Sequence, residues 1–65
     1  MGFAKNLRML RKEKKLTQKQ LGEFLNVSRS AVKSWESEGK EPSFTTLVKV
    51  ARYFEVSVDY LLDND

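Results

Sequence analysis

The chain has no cysteine and no histidine, one proline and three glycines in 65 residues. Without cysteine there are no disulfides, and without Cys or His the usual zinc sites are excluded. The missing histidine also removes the commonest general base. No cluster of carboxylates suggests an acid–base pair, so no nucleophile–base constellation can be drawn. No apolar run nears the roughly 18 residues of a membrane span, and no signal-peptide pattern is present. No cofactor is implied. These absences point to a soluble, cytoplasmic binding domain rather than an enzyme. A chain this short buries only about 60% of the surface its unfolded form exposes, so its core must be thin.

Charge is plentiful and uneven. Lys and Arg number 12 against nine Asp and Glu, a net +3. Residues 1–40 hold ten basic and four acidic side chains, a balance of +6, and residues 41–65 carry −3. Such asymmetry fits a domain with one nucleic-acid-facing side; a solvated lysine-rich surface is the plainer account.

Apolar spacing is helical nearly throughout. Phe3, Leu7 and Leu10 stand at i, i+4, i+7, and Leu21, Phe24 and Leu25 at i, i+3, i+4. Val32 and Trp35 are three apart, and Leu47, Val50, Ala51 and Phe54 continue the period. Capping signals divide the stripes. Thr17 to Gln20 forms a capping box, with Leu16 and Leu21 at staple positions. Ser28 lies between Val27 and Val32, and Ser57 between Val56 and Leu61, in the same staple spacing; Ser43 precedes another stripe. The reading is a single all-α domain, residues 1–65, with helices at about 3–14, 18–25, 29–37, 44–54 and 58–63.

Only Asn26, Val27 and Ser28 separate the second and third helices. A short turn of this kind makes a helix-turn-helix over about 17–37, or a hairpin of an unrelated bundle. The third helix decides between them. Ala31, Val32 and Trp35 share the side expected to meet the core, and their spacing favours burial of Trp35 over base stacking. Arg29, Ser30, Lys33, Ser34 and Ser37 share the other side, which has two cations, three hydroxyls and no carboxylate. An ordinary solvated face mixes Glu with Lys. This stripe suits a major groove. The first residues of such a helix reach base edges, which places Arg29, Ser30 and Lys33 there. Arg29 can donate twice to guanine O6 and N7; a phosphate clamp or a free surface arginine is its alternative.

Gln18 opens the second helix, where unpaired N–H groups favour phosphate, or it is an ordinary solvated first-turn residue. Lys40, in the Gly39–Pro42 loop, is free to approach a phosphate backbone. Lys12, Lys14 and Lys15 either touch phosphate or complement the first helix's dipole. Gly22, inside a helix, either admits a close neighbour or is simply tolerated.

The stretch LTQKQLGEFLNVSRSAVKSWESEGKEPSFTTLVKVARYFEVSVDYLL, Leu16 to Leu62, with RMLRKEKKLT leading into it, resembles the Cro/cI-type (XRE-like) helix-turn-helix domain of phage repressors and bacterial regulators. The resemblance covers nearly the whole chain. It implies a compact five-helix, lambda-repressor-like fold that binds double-stranded operator DNA, usually as a homodimer on an inverted repeat. It places Gln18 at a position that contacts phosphate and braces base readers. Arg29, Ser30, Lys33 and Ser34 fall at base-reading positions, and Ser28 at a cap that often touches phosphate. Arg11 and Glu36 match a frequent pair joining the first and third helices; two separate surface charges are the alternative. The chain departs from the family pattern at Asn26 and Glu55, where Gly is frequent, at Gly22, where Ala is, and at Glu38, where Gly commonly stands one residue earlier than Gly39.

Two functions follow. The leading one is sequence-specific DNA binding by a transcriptional repressor or regulator, with Val58 and Leu62 as dimer-patch candidates; core packing is their other use. The second is a protein-interaction module, such as an antitoxin or a partner-binding regulator whose DNA contact is secondary; an antirepressor or another protein is a candidate partner. After Asn64-Asp65 the family often continues into a linker and an oligomerisation or sensing domain.

Overall fold

The computed structural model describes residues 2–63. Among these residues five helices follow one another: α1 (Phe3–Glu13), α2 (Gln18–Leu25), α3 (Arg29–Ser37), α4 (Phe44–Phe54) and α5 (Val58–Leu62). The last two residues, where the resemblance places a continuation, lie outside the described segment.

Each helix after the first starts where a hydroxyl can accept a backbone N–H. Thr17 Oγ1 accepts from Gln20 N at 3.0 Å, and Gln20 Oε1 accepts from Thr17 N at 2.8 Å, closing the capping box. Ser28, Ser43 and Ser57 accept from the N–H groups of Ala31, Thr46 and Tyr60. Each such cap contributes about 1 kcal/mol. Leu16, Val27 and Val56 lie half-buried against the core, while their staple counterparts Leu21, Val32 and Leu61 are fully buried.

The ends of α1, α2 and α4 follow a rule that glycine counting does not reveal. Lys15, Asn26 and Glu55 take left-handed backbone conformations, with φ of 58°, 59° and 58°. Each sits in a Schellman pattern. After α1, for example, Leu16 N donates to Arg11 O at 3.1 Å and Lys15 N donates to Lys12 O at 2.9 Å. This reversal ends α1 at Glu13, one residue before the expected 14. Helix α5 likewise ends at Leu62 rather than 63, because Asp63 is extended at φ −69°, ψ 137°.

The core gathers Phe3, Leu7 and Leu10 of α1, Leu21 and Leu25 of α2, and Val32 and Trp35 of α3. Leu47, Val50, Ala51 and Phe54 of α4 and Leu61 of α5 complete it. Trp35 meets Phe3 edge-on, ring centroids 6.3 Å apart, and is spent in the core. Phe24, expected on the inner stripe of α2, is instead 60% exposed. Leu21 and Leu25 already fill the α2 side of the core, and Phe24 stacks on Tyr53 at 5.3 Å between centroids. Lys14 lies 5.6 Å above the same Tyr53 ring, a third use beside phosphate and dipole.

One buried polar residue ties the chain's ends together. Asn6 Nδ2 donates to the carbonyls of Tyr60, Leu61 and Asp63 at 2.9, 3.1 and 2.9 Å. Its two amide hydrogens are shared among these three acceptors and help to satisfy the carbonyls at the C-terminal end of a helix too short to stand alone.

Candidate nucleic-acid interface

The turn between α2 and α3 is held by its backbone. Asn26 adopts the left-handed conformation, and Val27 N donates to Gly22 O at 2.9 Å. A Cβ on Gly22 would lie 2.9 Å from Val27 O and 3.3 Å from Ser28 carbonyl atoms. Gly22 therefore admits the turn against α2, and through the turn sets where α3 begins.

Helix α3 is then locked from behind. Its inner face buries Val32, Trp35 and Glu36, with Ala31 half-buried at the edge. Arg11 grips the Glu36 carboxylate with two parallel bonds, Nε to Oε2 at 2.7 Å and Nη2 to Oε1 at 2.9 Å. Its remaining nitrogen, Nη1, donates to Leu16 O at 2.8 Å. This bidentate geometry is the strong form of an ion pair. Hydrogen bonding to Glu36 holds the Arg11 pKa above the ordinary arginine value, against the opposing effect of burial. Gln18 Nε2 donates to Glu36 Oε1 at 3.2 Å, and Arg8 Nη2 donates to Glu36 O at 3.1 Å. One buried glutamate thus joins α1, α2 and α3.

The outer face of α3 is open. Arg29, Ser30, Lys33 and Ser37 are exposed and Ser34 is half-buried. Arg29 shares an open groove of about 520 Å³ with Arg11, Thr17, Gln18 and Lys19, beside the N-terminus of α2. The amide of Gln18 must turn its nitrogen toward the Glu36 carboxylate, because a carboxylate only accepts. Ser28 Oγ caps α3 with a lone pair and keeps its proton for an outside acceptor. Lys40 is exposed but lines a different cleft, of about 170 Å³, with Phe3, Ala4, Trp35, Gly39 and Glu41. Gly39 supplies the left-handed residue of that loop at φ 72°, which resolves the shifted glycine. Val58 and Leu62 are half-buried against the core; Tyr60 on the same helix is 41% exposed.

Three participants escaped the sequence reading. Arg8 stands three residues before Arg11, on one helix face, and that spacing could have shown it. Asn6 carries no such signal. Glu38 lies just past α3 and extends the outer stripe: its carboxylate accepts from Ser34 Oγ at 3.3 Å. The face expected to be free of carboxylates therefore has one at its far end.

The helix-turn-helix sequence family matches residues 7–61. The chain is 38% identical over 63 residues to the uncharacterized HTH-type transcriptional regulator YqaE of Bacillus subtilis (strain 168), covering 97% of this chain and 54% of that one. It is 42% identical over 65 residues to the HTH-type transcriptional activator BcrR of Enterococcus faecalis, covering 100% and 32%. It thus spans about half or less of these relatives' length. Among solved structures it is similar to the P22 c2 repressor protein, crystallised in complex with synthetic operator 9T in the presence of Tl+. That likeness has a TM-score of 0.89 at 32% identity, over 100% of this chain and 98% of the other.

Proposed function

Because the chain belongs to the XRE-type helix-turn-helix family, we propose that it binds double-stranded DNA sequence-specifically and serves as a transcriptional repressor or regulator. The observation that carries this reading is the contrast on α3: the inner face is locked through Glu36, and Arg29, Ser30 and Lys33 stand free on the outer face. A helix held rigidly against its own domain can be pressed into a major groove without rearranging.

In this reading Arg29 donates to guanine O6 and N7, and Ser30, Lys33 and Ser34 meet neighbouring base edges. Gln18, Ser28 and Lys40 contact phosphate and set register. Gln18 reaches it with the amide hydrogen that Glu36 leaves free, at a helix N-terminus already suited to anions. Phosphate contacts supply salt-dependent affinity, and base contacts supply specificity.

A homodimer would place two copies of α3 about 34 Å apart on an inverted repeat. Tyr60, with the half-buried Val58 and Leu62, offers the apolar edge for that pairing. No described helix is long and apolar enough to cross a membrane, which suits work on DNA in the cytoplasm.

Selection of bound sites from random DNA duplexes tests the proposal. An inverted repeat with half-site centres about one helical turn apart is expected. Recovery of no consensus would overturn it.

A further inference from the structure

The carboxylate at the end of α3 gives the reading face a direction. Ser30, Ser34 and Glu38 follow one another at i, i+4 and i+8, along one stripe. Glu38 lies beyond the helix proper, its backbone in the bridge region at φ −113°, ψ 4°, but its N–H still donates to Ser34 O at 3.0 Å, as in one more helical turn. Gly39 then reverses the chain, and Lys40 N donates to the same Ser34 carbonyl at 3.3 Å. The position of Glu38 on the stripe is thus set by the backbone. Among the described residues no cation stands within ion-pair distance of it.

The hydrogen bond between the two side chains has one possible polarity. A carboxylate only accepts, so Ser34 must donate its single hydroxyl proton to Glu38. Everything the pair then offers outward is an acceptor: the Ser34 lone pairs and the remaining carboxylate oxygen lone pairs. Arg29, at the opposite end of α3, offers only donors.

We infer that Ser34 and Glu38 form an acceptor-only reading element selecting a base with an exocyclic amino group in the major groove, adenine or cytosine on the strand it faces. It rests on the DNA-binding reading above. Adenine N6 and cytosine N4 donate, whereas guanine O6 and thymine O4 only accept and meet the carboxylate unfavourably. The negative charge also repels phosphate on every sequence, and only a base that donates to the element offsets that cost. Helix α3 then reads with a polarity, donors at its start and acceptors at its end.

The test selects sites from random duplexes with the wild-type chain, Glu38→Gln and Arg29→Ala in parallel. Glutamine keeps the shape of Glu38 but can donate as readily as it accepts, and the position is exposed. The wild type should favour adenine or cytosine over guanine or thymine about tenfold at one position per half-site. That position should be distinct from the one relaxed by Arg29→Ala. Glu38→Gln should reduce the preference there to about twofold, with the other positions kept. If both proteins return the same preference, or the variant weakens all sequences alike, the inference is wrong and the DNA-binding reading stands. If the wild type itself returns no consensus, the DNA-binding reading fails and this one with it.

Discussion

The two faces of α3 are built on opposite principles. The inner face is crowded: Val32 is fully buried, Trp35 meets Phe3, and the Glu36 carboxylate accepts from Arg11 and Gln18. The outer face is nearly bare, with Arg29, Ser30 and Lys33 exposed and the Ser34–Glu38 bond as its side-chain link. The difference separates two properties that a single helix must carry. Whatever fixes α3 in the domain acts on stability; in the proposed function, whatever it presents acts on recognition. A small core makes the division necessary, since loosely held side chains on the outer face would lose their geometry on contact.

The largest effect comes from breaking the inner face. Arg11→Ala leaves the buried Glu36 carboxylate with Gln18 but no ion-pair partner, the Arg8 guanidinium being on the Glu36 backbone carbonyl. An uncompensated buried charge of this kind costs about 3–5 kcal/mol. That is a large share of the stability of a domain this size, so urea or thermal denaturation should show a marginally folded or unfolded chain. Replacing both partners, Arg11→Met with Glu36→Leu, should recover much of the loss. A single-variant loss below about 1 kcal/mol would mean the pair is solvated like a surface bridge. The raised Arg11 pKa fixes the pH behaviour. A group whose pKa rises on folding stabilises fully below its unfolded value and loses that contribution only as pH climbs through the folded one. The pair's contribution should therefore be level across the neutral range.

Arg29→Ala sharpens the contrast from the other side. Its stability should change by no more than about 0.5 kcal/mol, as for an exposed substitution away from packing. Removing a cation from the first turn of α3 even relieves a mismatch with the helix dipole. Binding should change by about 1–3 kcal/mol at one base pair per half-site, measured as competition between the selected operator and its single-site variants. Equal weakening on every sequence would move Arg29 into the phosphate class.

Much of this division can be read without coordinates. The serine and threonine caps mark the starts of α2 to α5, because a hydroxyl at an N-cap acts within three residues. The exposed stripe from Arg29 to Ser37 follows from helical period alone, although its continuation to Glu38 depends on how the chain leaves the helix. The Arg11–Glu36 pair, known in advance only by family likeness, joins residues 25 apart, and nothing local announces which charges will be buried. Asn6 is beyond reach for the same reason: its partners are main-chain carbonyls more than 50 residues away. Phe24 misleads because periodicity ranks it with Leu21 and Leu25, while the limited core volume is already taken.

A third kind of position, belonging to neither face, tests whether the division is complete. Glu55 follows α4 in a left-handed conformation, φ 58° and ψ 43°. A residue with a Cβ bears about 1 kcal/mol of strain there that glycine avoids. Its carboxylate also stands at the negative end of the α4 dipole, where an acidic group is disfavoured. Glu55→Gly removes both penalties, and the greater freedom of glycine in the unfolded chain offsets part of the gain. A net stabilisation of about 0.5–1 kcal/mol is expected, a rise in melting temperature of about 2–8 °C for a domain of this length. Glu55 is exposed and lies outside α3, so operator selection should be unchanged. A stabilised variant with altered base preference would mean that the end of α4 is mechanically linked to the reading face, and that stability and recognition are not divided between the two sides of α3.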